Sequence, residues 1–193
     1  MRKATLRDAE LLLQWRNDTT ARQNSFHTEE IAFSEHSQWL KNALADPDVY
    51  IFILMKGETL LGQVRVHQKG QDAVISYSIA PEHRHQGYGA KMLALLEEWM
   101  TKRNTSCRFI GDVKKENIAS IRVFESLGYT CVTEEDHYRY MKMIEPIGSE
   151  EKHMENMNTI NNAEHKSAGG GALLSKFFIR TRSVYPHLDA LAA

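Results

Sequence analysis

The sequence predicts one mixed α/β domain, a mostly antiparallel sheet flanked by helices on both faces, followed by a tail of different character. Three observations predict it. Apolar residues recur at helical spacing in four separate segments, three strand-like runs follow one another across short glycine turns between Val49 and Ala80, and this patterning stops near Ile144. The 193 residues include 42% AVILMFWYC, enough to build one full core, which excludes a disordered or collagen-like chain.

The elements read in order. A strand at Lys3–Leu6 leads to Asp8, an N-cap residue, and to a helix carrying Leu11, Leu12 and Trp15. Asn17 to Glu30 reads as irregular and polar. Ser34 caps a second helix with His36, Trp39, Leu40 and Ala43 on one face, and Asp46-Pro47 ends it because proline cannot continue a helix. Val49–Met55 is continuously apolar, as in a strand covered on both faces. Leu60–His67 alternates, with Gly62, Val64 and Val66 opposite Gln63, Arg65 and His67. Ala73–Ala80 follows the turn Lys69-Gly70-Gln71 and stops at Pro81. The helix Gly87–Lys102 buries Met92, Leu95, Leu96 and Trp99. A strand at Cys107–Val113, a helix at Asn117–Leu127 closed by Gly128, and strands at Tyr129–Thr133 and Tyr138–Ile144 complete the domain, 1–145.

Residues 146–193 read as a flexible C-terminal tail, asparagine-rich and containing Gly169-Gly170-Gly171, within which Ala172–Tyr185 is apolar and basic enough to dock on the same chain or on a partner. With 24 Lys+Arg against 25 Asp+Glu the formal charge is −1, so no net field draws the chain to nucleic acid or an anionic membrane. No apolar run approaches the roughly 20 residues of a membrane helix. Cys107 and Cys131 read as buried small hydrophobes, and the nine histidines show no metal-ligand spacing, so no metal is expected. The expectation is a cytoplasmic protein with a small-molecule substrate and no nucleic-acid or membrane partner; a homodimer stays open.

The stretch Ser78–Trp99 carries the chemistry. A strand ends at proline, a loop contains Gly87 and Gly89, and an amphipathic helix begins. The first amides of a helix lack partners and sit at the positive end of its dipole, so glycines there let an anion such as a pyrophosphate approach the backbone. An ordinary glycine-containing turn is the plainer reading of two glycines. The pattern Arg84-x-x-Gly87-x-Gly89 resembles the acetyl-CoA pyrophosphate loop of the GCN5-related N-acetyltransferases (GNAT, the acyl-CoA N-acyltransferase fold). Asn117-Ile-Ala-Ser120 through Phe124-Glu-Ser-Leu-Gly128-Tyr129 resembles the next helix of that family, in the same order. The resemblance covers roughly Lys3 to Ile144 and implies acetyl-CoA as co-substrate. It further implies that Ile79 and Ala80 hold the pantetheine arm through their backbone. Arg84, His85, Gln86, Gly87, Tyr88, Gly89 and Ala90 would hold the pyrophosphate, while Asn117, Ser120 and Phe124 flank the arm. Asn117 reads equally well as a simple helix N-cap, and Tyr88 as packing.

Acetyl transfer to an amine needs an unprotonated nucleophile, a donor near the thioester oxygen and a proton for the leaving thiolate. By the resemblance, Ile79 N–H is the oxyanion donor. Many family members place a proton-donating tyrosine where Phe124 stands here, which leaves Tyr138 or Tyr129 as substitutes, each also readable as core. The strand before the loop has none of the glutamates that serve the family as base, so His83 or His85 takes that place, each also readable as a solvated surface residue.

A narrower resemblance concerns the acceptor. Leu11-Leu-Leu-Gln-Trp15-Arg16-Asn17-Asp18, Ser25-Phe26, Glu35-His36-Ser-Gln-Trp39-Leu40 and Gly62-Gln63-Val64-Arg65 look like the sugar-nucleotide branch of the family. That branch acetylates the 4-amino group of UDP-linked 4-amino-4,6-dideoxy sugars in pseudaminic-acid-type surface-glycan biosynthesis. Arginines suit a diphosphate because the guanidinium fork matches it bidentately, and Arg16, Arg22 and Arg65 are available. Trp39 or Phe26 would stack on the base or pack in the core, and Asn17 and Asp18 would bond sugar hydroxyls or make a turn. The rivals are a protein or peptide N-acetyltransferase of the same fold and a non-catalytic acyl-CoA-binding module.

Overall fold

The computed structural model of the chain describes residues 1–103 and 106–146. The expected tail and its segment Ala172–Tyr185 lie outside the described residues. Seven strands form one sheet. In chain order the elements are β1 (Arg2–Lys3), α1 (Ala9–Asn17), α2 (Thr19–Asn24), α3 (Phe33–Ala45), β2 (Val49–Lys56), β3 (Thr59–Lys69), β4 (Asp72–Ile79), α4 (Tyr88–Thr101), β5 (Cys107–Lys114), α5 (Ile118–Ser126), β6 (Thr130–Thr133) and β7 (His137–Ile144). The sheet order is β1-β2-β3-β4-β5-β7-β6, and every neighbouring pair is antiparallel except β4·β5. No helix of the described residues is long and apolar enough to cross a membrane.

Strand alternation divides the core between two helix layers. Phe52 and Leu54 of β2, Val64 and Val66 of β3 and Ile75 of β4 pack with Met92, Leu93 and Leu96 of α4 and Phe124 of α5. Ile51 and Ile53 point the other way, onto Leu12 and Trp15 of α1 and Leu40 of α3. The continuous apolar run of β2 follows from burial on both faces.

The feature that makes the site is a divergence. β4 pairs with β5 only from Asp72 to Val74, opposite Arg108 to Ile110, although β4 continues to Ile79 and β5 to Lys114. Beyond Val74 the two central strands part and leave a slit through the sheet.

Several sequence expectations are corrected. The first strand is Arg2–Lys3, ahead of the expected Lys3–Leu6, because the Asp8 carboxylate folds Leu6–Asp8 into a 3-10 turn. It accepts from Thr5 N (2.7 Å) and pairs with Arg2 (2.6 Å), which holds it down at about 2. The supposedly irregular stretch contains α2, too short to show a periodic stripe and capped by Asp18, whose side chain accepts from Ala21 N (3.0 Å). α3 starts at Phe33 with Ala32 in the cap position, so Ser34 is inside the helix. In α4 the buried stripe is Met92, Leu93, Leu96 and Met100, with Leu95 and Trp99 only partly buried. Cys107 is buried as expected, but Cys131 is exposed, on the edge strand β6 whose residues Thr130–Thr133 are all exposed.

Candidate active site

Three spaces adjoin one another around the end of β4. The first is the loop into α4. Pro81–His83 make one 3-10 turn, and His85 (φ 61°) and Gly87 (φ 77°) are both left-handed. Left-handed residues alternating with ordinary ones make anion-binding concavities of backbone amides. Among the described residues, none of the amides from His85 to Ala90 donates to a backbone carbonyl; the helix ladder begins with Lys91 N to Gly87 O at 3.2 Å. A Cβ on Gly87 would meet nothing within 4 Å, so the space before the helix is open. One on Gly89 would stand 3.2 Å from Val123 Cγ2 and 3.3 Å from Tyr77 Cε2. Gly87 therefore serves the turn, and Gly89 lets α4 close onto β4 and α5. Arg84 does not face this space freely: its Nε donates to Ile79 O (3.2 Å), and its Nη2 pairs with Asp18 at the cap of α2.

The second space is the slit, about 360 Å³, lined by Ile75, Ser76 and Tyr77 of β4, Asp112 and Val113 of β5, Asn117, Ser120 and Phe124, and Asn24 and Phe26. Ala80 N donates to Leu61 O (2.9 Å), so strand alternation turns the backbone groups of Ser76 and Ser78 toward β3. Those of Tyr77 and Ile79 turn toward the slit. Of the two residues expected to hold a pantetheine arm, Ile79 presents a free amide, its carbonyl already accepting from Arg84 Nε; Ala80 has donated its amide to Leu61 O, and its side chain is buried. Asn117 caps α5 by accepting from Ser120 N (3.1 Å) and also lines the slit. The Tyr77 hydroxyl donates to Ser120 Oγ (3.1 Å), and burial pushes this phenol up to about 12. Phe124 stacks on Tyr140 at 5.2 Å, and a Cβ built on Gly111 would lie 2.3 Å from its Cζ. The Phe124 ring is thus a core ring that exists where it does because β5 carries a glycine beneath it. Free amides in front of a helix and a slit edged by unpaired strand backbone fit a long, phosphate-bearing thioester.

The third space lies on the other face of the sheet, about 320 Å³, lined by Leu12, Arg16, His36, Trp39, Ile51, Gln63, Arg65 and Ser76. Arg16 donates through Nη2 to His27 O (2.8 Å), while its Nε and Nη1 are buried without a partner. The Arg65 guanidinium stands over the Trp39 ring, 5.5 Å from the centroid. Burial, with Arg16 adding to it, pushes Arg65 down to about 10, which leaves it charged at neutral pH. His36 is 2% exposed, with neither ring nitrogen hydrogen-bonded, and burial with Arg16 nearby holds it below its ordinary value. Buried charges are normally paired. Here the buried Arg16 and the half-buried Arg65 share a pocket with no carboxylate in its lining; Glu29, whose charge acts on Arg16, lies outside that lining.

Of the residues expected to touch an acceptor, Arg16, Trp39 and Arg65 come together. Asn17 does not join them: its amide is spent on Ile31, accepting from Ile31 N (3.0 Å) and donating to Ile31 O (2.8 Å). Arg22 is likewise tied to Asn17 O (3.2 Å) and Thr28 O (3.1 Å). Tyr138 lies on the face of β7 turned to the α5 core, under Lys115 Nζ at 6.0 Å, and lines neither space; Tyr129 is buried beside Phe124. His85 is exposed on the rim of the loop, and the ring of His83 lies edge-on to Tyr88. Sequence reasoning passed over His36, which shares the helical stripe of Trp39 and so read as core. It also passed over Ser76 and Tyr77, which alternate to opposite faces of β4.

An open helix N-terminus beside splayed central strands is compatible with an acetyl-CoA-dependent acetyltransferase, and the comparisons define that class. The acetyltransferase (GNAT) domain family matches residues 1–130, and the chain belongs to that family. Among curated proteins, the uncharacterized N-acetyltransferase YobR of Bacillus subtilis (strain 168) is 35% identical over 81 residues, 42% of this chain. The matched region spans 32% of that relative's length. Among solved structures, spermidine N-acetyltransferase from Vibrio cholerae in complex with CoA and spermine aligns with a TM-score of 0.67 at 18% identity, over 74% of this chain and 94% of the other. A domain from Methanocaldococcus jannaschii DSM 2661 aligns with a TM-score of 0.65 at 23% identity, over 74% and 96%. The expected GNAT fold is borne out.

Proposed function

We propose that the chain transfers the acetyl group of acetyl-CoA to the 4-amino group of a UDP-linked 4-amino-4,6-dideoxy sugar, in surface-glycan biosynthesis of the pseudaminic-acid type. The observation that carries this reading is the pocket of Arg16, Arg65 and His36 with no carboxylate in its lining. A diphosphate would supply the missing negative charge, and Trp39 offers an aromatic face beside it. A polycationic acceptor such as spermidine would be repelled there.

Bound acetyl-CoA supplies the reactive thioester. The amides of His85 to Ala90 hold its pyrophosphate, and Ile79 N–H, on the free edge of β4, donates to the thioester oxygen. With Phe124 in the place of the usual tyrosine, the phenol in the slit is that of Tyr77, which keeps its proton through the physiological range and can give it to the leaving thiolate. Tyr77→Phe is expected to lower kcat about a hundredfold with little change in the KM of acetyl-CoA, as steady-state kinetics would show. Equal kcat for the two proteins would remove Tyr77 from the chemistry.

His36 gives a pH signature. Its folded value lies below the ordinary 6.5, so the unfolded chain takes up a proton first. Its contribution to stability is present above about 6.5 and is lost as pH falls from there toward the folded value. An anion in the pocket favours the imidazolium and reverses the preference. A UDP-hexose, whose diphosphate diester does not titrate in this range, should therefore bind with proton uptake and more tightly at pH 6 than at pH 8, measured by calorimetry in buffers of different ionisation heat. His36→Gln should abolish the uptake; pH-independent binding by the wild type would contradict the assignment.

The reading as a whole is tested by incubating the full chain with acetyl-CoA and, in parallel, a UDP-4-amino-4,6-dideoxy sugar, spermidine and an alanine-terminated peptide, with products identified by mass spectrometry. The expected product is the N-acetylated sugar nucleotide. Acetylation of spermidine or the peptide alone would overturn the acceptor assignment.

A further inference from the structure

We propose that the Ser76 hydroxyl receives the acceptor amine and holds it between the arginine pocket and the slit. The proposal deepens the functional reading above and rests on its assignment of the two spaces. Ser76 lines both the slit and the arginine pocket. The residue is 7% exposed, and its Oγ is buried without any hydrogen-bond partner. This is not a general property of the strand face, because Ser78, two residues on, accepts from Gln63 Nε2 (3.3 Å). Ser76 also stands directly opposite Arg65 in the β3–β4 register. Such pairs carry their Cβ atoms about 4.5–5.5 Å apart. An anionic group held by Arg65 therefore brings the rest of its molecule within reach of this hydroxyl.

A buried hydroxyl with no partner destabilises the empty protein and is satisfied when a donor arrives. A neutral primary amine has two N–H groups and one lone pair. Donating one N–H to Ser76 Oγ fixes the nitrogen at the mouth of the slit and leaves the lone pair free to point through it. The C–N bond forms as the C–S bond breaks. The surplus proton on nitrogen leaves to water in the pocket, and the thiolate takes one from the Tyr77 phenol, which regains it from water. Ser76 neither gains nor loses a proton, so its effect is on position alone. Successive residues of β4 thus serve the two partners from opposite faces of the sheet.

The test compares Ser76→Ala with the wild-type full chain by thermal melting, by acetyl-CoA binding, and by kinetics with every amine of the panel above. The variant is expected to melt about 2–4 °C higher, because it loses an unsatisfied polar group. It should bind acetyl-CoA within twofold of the wild type. For whichever amine the wild type acetylates, kcat should fall about ten- to a hundredfold, with a smaller change in amine KM. A lower melting temperature would show that the hydroxyl is structural, and an unchanged kcat would show that it does not meet the amine; either overturns the proposal. If the wild type acetylates spermidine or the peptide and not the sugar nucleotide, the sugar assignment fails. The kcat ratio on the accepted amine still decides the role of Ser76.

Discussion

Arg65→Ala is expected to raise the KM for a UDP-linked 4-amino sugar tenfold to more than a hundredfold, and to leave the KM for acetyl-CoA within twofold. The size follows from the kind of bond removed. A hydrogen bond to a charged group contributes about 1.5–3 kcal/mol, and each 1.4 kcal/mol is a factor of about ten. The selectivity follows from placement, since Arg65 lines the pocket on one face of the sheet and takes no part in the slit or the α4 loop. The same substitution should not destabilise the free protein. Arg16 adds to the cost of holding Arg65 charged in this pocket, so removing Arg65 removes that cost. A higher melting temperature with weaker sugar-nucleotide binding marks a charge kept for a ligand. A fall in stability with unchanged kinetics would make Arg65 a packing residue.

The second large effect concerns the cofactor. Gly87→Val should raise the KM for acetyl-CoA at least tenfold while leaving UDP affinity unchanged. Gly87 sits at φ 77° with open space where a Cβ would go, so the substitution meets no protein atom. What it does is force a β-branched residue into a left-handed conformation, at a cost of about 1–3 kcal/mol, and place bulk in front of the amides. Gly89→Val should be worse for folding, because its side chain would press on Tyr77 and Val123. Comparing the two separates loss of the anion seat from loss of helix packing. Kinetics of Gly87→Val indistinguishable from wild type would move the pyrophosphate away from α4.

The regular frame was legible because period-two and helical patterns are local. β3 alternates Val64 and Val66 against Gln63 and Arg65 as its sequence does, and α4 begins where the glycines stand. The arginine pocket was legible only in part, since it collects α1, α3, β2, β3 and β4 through pairing of residues far apart in the chain. That Ser76 faces Arg65 is a fact of register, and the splay that exposes Tyr77 begins only after Val74. Asn17 and Arg22 read as ligand residues because nothing local reveals that Ile31 and Thr28 fold back onto them. α2 was missed for a different reason: six residues are too few for a stripe, and only the Asp18 cap announces it.

Service of two ligands from the two sides of β4 is tested most directly by a crystal structure of the full chain with CoA and UDP bound together. The expected result is the CoA pyrophosphate against the amides of His85 to Ala90 with its arm in the slit, and the UDP diphosphate between Arg16 and Arg65. Finding UDP on the α4 loop, or the arginine pocket empty beside a bound CoA at saturating UDP, would contradict it.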